Sequence, residues 1–228
     1  FLANAQNTFI ENKGQFPKSV ISKTILPSGA LYVEWAKLTY AFYNGKQLSD
    51  IHDGIAINHN VDAHAYSVLF LDANINPIIE LETESSFFEN YYLGDKSSWA
   101  SSVKSYKIQV QKKIYQGVDL HLFVNDDKLK YELYLDKSAN EKAIKLRYLG
   151  LNRIKISNGN LVINTSVNCI VEYRPYAYQI IDGIEVEVSC IYRLKSNIVS
   201  FDFPNNYNRN YPLVIDPVLE FSTYSGST

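Results

Sequence analysis

The sequence predicts an all-β fold of the antiparallel sandwich type with few or short helices, and three observations predict it. Apolar and polar residues alternate with period two through most of the chain, the mark of half-buried strands. Asn, Asp and Gly punctuate these runs at spacings of roughly ten residues, where tight hairpins need positive φ. The 18 Tyr and 11 Phe suit pleated surfaces, where aromatic rings pack well. No stretch shows apolar residues at i, i+3, i+4 and i+7 bounded by caps, so long helices are not expected.

Taken in order, strands are expected over residues 30–35, 38–43, 66–71, 104–110 and 118–124. In 128–136, Leu129, Tyr131, Leu133 and Leu135 take one face against Lys130, Glu132 and Tyr134. Residues 143–148 repeat the pattern with Ile144, Leu146 and Tyr148. Further strands are expected at 160–164, 176–181 and 198–203, and the longest at 184–194, where Ile184, Val186, Val188, Cys190, Tyr192 and Leu194 share a face. Turns are expected at Asn44-Gly45, Asp126-Asp127, Asn158-Gly159-Asn160 and Asp182-Gly183. The stretch 95–105 carries five Ser and few core candidates. It either divides two β subdomains, 6–97 and 98–217, or is a long loop within one large sandwich.

With 228 residues, 46% of them hydrophobic and 20% charged, the chain has the composition of a folded protein with a sizeable core. A net charge of -2 offers no field for nucleic acid or anionic lipid, and no apolar run is long enough to span a bilayer. There is no Met at all, and Phe1-Leu2-Ala3-Asn4-Ala5-Gln6 reads as the end of a signal-peptide core with an A-x-A cleavage pattern. Residues 1–5 are thus expected to be a signal-peptide remnant, and 218–228 the start of a following repeat module.

The chemistry-bearing residues point to no reaction. His52, His59 and His64 lie close in sequence to Asp50, Asp53 and Asp62, residue types that suit zinc, but the spacing matches no helical ligand pair or finger. A polar hairpin region between two core strands accounts for them without a metal. Cys169 and Cys190 both fall on apolar faces; a bridge between sheets and a pair of buried free thiols are both compatible with that pattern. Ser101-Ser102-Val103-Lys104 fits S-x-x-K without its companion elements, and Asn164-Thr165-Ser166 is a glycosylation sequon. No catalytic, cofactor-binding or metal-binding residue is therefore assigned, and no cofactor is expected.

Several segments occur together in a telling order: 9–17 (FIENKGQFP), 89–94 (ENYYLG) with Trp99, 114–120 (IYQGVDL), 129–135, 159–161, 174–179 (RPYAYQ) and 212–217 (PLVIDP). Jointly they resemble a domain of unknown function at the N-terminus of secreted bacterial proteins that carry SBBP-type β-propeller repeats. Many Bacteroidota members of that family end in a gliding-motility or type IX secretion sorting domain. The resemblance covers about residues 8 to 217, and Ser222-Thr223-Tyr224-Ser225-Gly226 looks like the opening of a first repeat. It implies a secreted or cell-surface protein and assigns no catalytic residue.

The expected function is a noncatalytic structural or interaction module that caps or spaces downstream repeats, in adhesion or gliding motility. Its expected partners are those repeats, outer-membrane secretion or surface-anchoring proteins, or extracellular glycans, with no nucleic acid and no membrane insertion. The alternative is a secreted carbohydrate-binding module or glycoside hydrolase. That alternative calls for coplanar exposed aromatics beside two acidic groups.

Overall fold

A computed structural model describes residues 8–55, 58–125 and 128–223. The architecture is all-β and antiparallel, with one large and one small sheet. The N-terminal third supplies β1 (Phe9–Glu11), β2 (Val20–Leu26), β3 (Gly29–Glu34) and β4 (Lys37–Tyr43), then helix α1 (Gly45–His52) and β5 (Ala63–Phe70). A long hairpin follows, β6 (Ile78–Tyr91) and β7 (Ala100–Tyr115), and then β8 (Val118–Asn125), β9 (Lys128–Leu135) and β10 (Leu146–Leu149). Next come β11 (Arg153–Ser157), β12 (Asn160–Asn164), β13 (Asn168–Glu172), β14 (Tyr176–Ile181) and β15 (Ile184–Val188). The described chain ends with β16 (Ile191–Lys195), β17 (Ile198–Asp202), β18 (Leu213–Asp216) and β19 (Leu219–Thr223).

Strand β7 divides the large sheet into two wings. Strand β6 pairs along one edge of β7, while the other edge holds β1 at Ser105 and Tyr106 and β8 from Ile108 onward. One wing then runs β1-β2-β3-β4-β5-β10-β17-β16 and the other β8-β9-β18-β14-β15. The small sheet, β11-β12-β13-β19, adds its buried Leu161, Ile163, Ile170 and Leu219 to the same core as both wings. Strands from either side of the 95–105 stretch share the large sheet, since β5 pairs with β10 and β1 with β7. The stretch itself is the tip of the β6–β7 hairpin and the first part of β7.

The period-two reading holds where one face meets the core. In β4, Leu38, Tyr40 and Phe42 are buried, and in β9 so are Leu129, Tyr131, Leu133 and Leu135. Gly29 cannot carry a side chain, because a Cβ there would come within 2.3 Å of the Ala41 carbonyl oxygen on the paired strand. Asn158-Gly159 and Asp182-Gly183 make their hairpins with φ of 51° and 80°, and of 51° and 82°.

Three expectations need correction. Asn44-Gly45 makes no hairpin; Asn44 caps α1, its side chain accepting from the Gln47 N–H. The run 184–194 is two strands, because the chain leaves β15 at Ser189 and Cys190 to cross to the far edge of the other wing as β16. Residues 143–148 begin as a 3-10 turn over Glu141–Ala143, and the strand starts at Leu146. The Asp126-Asp127 turn and the A-x-A pattern fall outside the described residues.

Candidate interaction site

The β6–β7 hairpin is the longest in the molecule, and its outer end runs past the sheet. A 3-10 turn at Lys96–Ser98 and Gly94, at φ 70°, close it. The Trp99 indole N–H donates to the Gly94 carbonyl at 3.2 Å, and the Tyr92 ring meets Trp99 edge-on at 5.4 Å. Lys96 lies over the same indole, 5.8 Å from its centroid. The base of this end is anchored from the N-terminal segment. Tyr91 packs with Phe16, Ile10, Ala100 and Val103, the Glu11 carboxylate accepts from the Lys104 N–H, and the Lys13 ammonium reaches the Ser102 carbonyl.

The tip therefore has a defined shape, yet its apolar side chains face solvent. Phe87 is 79% exposed, Phe88 62%, Leu93 81% and Tyr92 56%, with Trp99 partly exposed beside them. Burying a single such side chain stabilises by about 1.5–3 kcal/mol, so several of them left in water along the outer half of one hairpin mark a contact surface. The rest of β6 carries Glu80, Glu82, Glu84 and Glu89, charges that discourage pairing along its open edge.

The buried polar groups form a separate assembly. Glu172 on β13 is 1% exposed and accepts three phenol hydrogen bonds. Tyr131 donates to Oε1 at 2.5 Å, Tyr192 to the same oxygen at 2.8 Å, and Tyr148 to Oε2 at 3.2 Å. Burial raises the Glu172 pKa above its ordinary value, against the lowering by its three donors. Burial, and after it the negative field of Glu172, holds these tyrosines well above the usual phenol range. The donors come from β9 in one wing and from β10 and β16 in the other, so one carboxyl in the small sheet ties three walls together. The residual void beside it is about 10 Å³, too small to hold a substrate.

The residues singled out in sequence disperse. His52 and Asp53 end α1 at the surface, and His59 is exposed. His64 Nδ1 accepts from Ser166, and Nε2 stands 2.6 Å from the Gly150 carbonyl, which puts the ring proton on Nε2 and ties β5 to two neighbouring turns. Asp50 pairs with Lys46, and Asp62 with Gln47. Among the described residues no three metal-ligating side chains converge. Cys169 and Cys190 are not joined in a disulfide; burial raises the pKa of both thiols, Cys190 to about 12. Cys169 and Val171 lie on the more open face of β13, while Asn168, Ile170 and Glu172 face the core, so the apolar face read from the sequence is the outer one. Ser101 to Lys104 lies in β7, and the Thr165 hydroxyl of the sequon is turned inward to Asn168.

These features define an antiparallel β protein of two sheets with a protruding aromatic hairpin. Among the described residues no helix is long and apolar enough to cross a membrane. A family model described as a domain of unknown function, DUF7948, matches residues 9–218, and the chain belongs to that family. Neither the curated proteins nor the solved structures contain a match to the chain.

Proposed function

We propose that the chain is a noncatalytic structural and interaction module of a larger exported bacterial protein, capping or spacing β repeats that follow it. The hairpin tip carries the reading: Phe87, Phe88, Tyr92 and Leu93 are held in water on an anchored scaffold, which is costly unless another surface covers them. Repeat arrays need their terminal faces covered, and a rigid projecting hairpin is suited to that task. The signal-like opening, the resemblance to N-terminal domains of secreted SBBP proteins, and membership in a family without assigned activity support export and an architectural role. In this reading the first partner is the repeat array of the same polypeptide, with surface-anchoring proteins next.

The test is hydrogen exchange over residues 87–99 in the isolated domain and in the longer natural polypeptide. The expected outcome is slower exchange there, and a blue shift of Trp99 emission, in the longer protein. A tip equally exposed in both, or turnover of a substrate by the purified domain, would overturn the reading.

A further inference from the structure

A second concavity lies away from the hairpin tip. Three segments meet around it: the turn after β5, the end of β7, and the connection from β9 to β10. They enclose about 460 Å³, within the ~300–1,000 Å³ of ordinary ligand pockets. Asp72, Lys113 and Gln116 line its open side with solvent-exposed side chains that have no hydrogen-bond or ion-pair partner among the described residues. Tyr115 forms part of the floor, and its hydroxyl is pushed up to about 12 by burial, with a further rise from the charge of Asp72.

The remaining lining is braced. Asn74 donates to the Lys113 carbonyl at 3.2 Å and accepts from the Asn76 N–H, and Asn140 accepts from the Lys142 N–H. The Ser138 hydroxyl and N–H both donate to Asp136 Oδ1, at 2.6 and 2.7 Å. Gly117 makes room for that pair, since a Cβ there would come within 2.5 Å of Asp136 Oδ1. Asp72 and Lys113 both hold positive φ, 57° and 55°, a conformation that side-chain-bearing residues rarely adopt. Lys113 sits where the register of β7 slips against β8, the kind of bulge that re-aims side chains.

The donor set selects the ligand. One carboxylate and one ammonium cancel in charge, so a phosphate would meet Asp72 as well as Lys113 and gain little. An apolar ligand would strand the amide, hydroxyl and charged groups without water. Neighbouring hydroxyls on one ring satisfy all of them at once, because a hydroxyl both donates and accepts while Asp72 only accepts and Lys113 only donates. We propose that this bowl binds an uncharged saccharide, with Asp72, Lys113 and Gln116 making the direct hydrogen bonds. Its lining holds one carboxylate and no exposed ring, so the bowl is a hydrogen-bonding site and not the stacked, two-acid arrangement that carbohydrate cleavage calls for; it is independent of the hairpin reading and gives the module a second kind of partner.

The test is calorimetric titration of the purified domain with cellohexaose, maltohexaose, xylohexaose, laminarihexaose and chitotetraose, with oligogalacturonate as the charged comparison. The expected result is saturable binding of at least one neutral oligomer. Asp72→Gly, in which glycine takes the φ without strain, and Gln116→Ala should each weaken it by about tenfold or more. Melting temperatures should stay near the wild type, and Phe87→Ser should leave the affinity unchanged. Absence of binding across the neutral panel would overturn the proposal. So would neutral binding indifferent to both bowl variants, or tighter binding of oligogalacturonate abolished by Lys113→Gly. Because the hairpin is read by exchange and the bowl by titration, either can fail alone.

Discussion

Strand β9 carries tyrosine and glutamate chemistry on both of its faces, and the two faces handle it differently. Inward, Tyr131 joins Tyr148 and Tyr192 in donating to Glu172, a carboxyl sealed from water and surrounded by neutral groups. Outward, Glu132 and Asp216 sit side by side and share one cation, Lys130, at 2.7 and 2.6 Å. Burial raises Asp216 even with that lysine beside it, while Lys130 is raised by both carboxylates against its own partial burial. In the core, where a cation would cost too much to desolvate, hydrogen bonds and a raised proton affinity stabilise the acid. On the half-open face a snorkelling lysine does so.

The largest expected effect breaks the inner arrangement. Glu172→Ala takes the acceptor from the buried Tyr131 and Tyr148 hydroxyls, leaves Tyr192 only the Tyr173 carbonyl, and opens a cavity, an expected loss of ~3–5 kcal/mol in urea unfolding. Glu172→Gln keeps the volume and one acceptor and should cost less, ~1–3 kcal/mol. A loss under about 1 kcal/mol for the alanine variant would show that the three walls are held by packing alone.

The pH dependence of those two proteins sharpens the contrast. The folded-state pKa of Glu172 lies above its ordinary value near 4.5, so the folded protein holds this proton more tightly than the unfolded chain. Stability from this group is therefore complete below 4.5 and falls as pH rises toward the folded value. The advantage of wild type over Glu172→Gln should shrink across that window; an advantage that grows with pH would reverse the assignment.

Effects on the outer arrangement should be smaller. Lys130→Met leaves Glu132 and Asp216 facing each other, but Lys130 is about a third exposed, so solvent screening limits the loss to ~1–2 kcal/mol. That loss should lessen as Asp216 is protonated in acid. Smallest of all, Phe87→Ser at the hairpin tip should change stability by no more than ~0.5 kcal/mol, because its side chain is already in water. A larger loss would mean that the tip packs against its own domain.

Alternation in β4, β9 and β12 was legible because one face of each strand meets the core and the other meets solvent. Strand β6 was not, since it pairs on one side only and both its faces are largely exposed, so its charges hide the period. The inward face of β13 was misread for the opposite reason: Cys169 and Val171 look apolar, yet Glu172 is the residue the core requires. No hydropathy pattern marks an acid whose donors lie tens of residues away on three other strands. The saccharide bowl was equally invisible, as Asp72, Lys113 and Gln116 come together only through a bulge and two turns.

The amino-acid order alone determined that this chain is mostly β, where most strands lie and that Asn158-Gly159 and Asp182-Gly183 close hairpins, because side-chain period and backbone φ are local properties. Which strands are neighbours, which carboxyl is sealed in and which aromatics are left in water were decided by long-range pairing. Two stretches similar in pattern, such as β15 and β16, can end at opposite edges of one sheet, because strand order depends on how the whole chain closes its core and not on either segment.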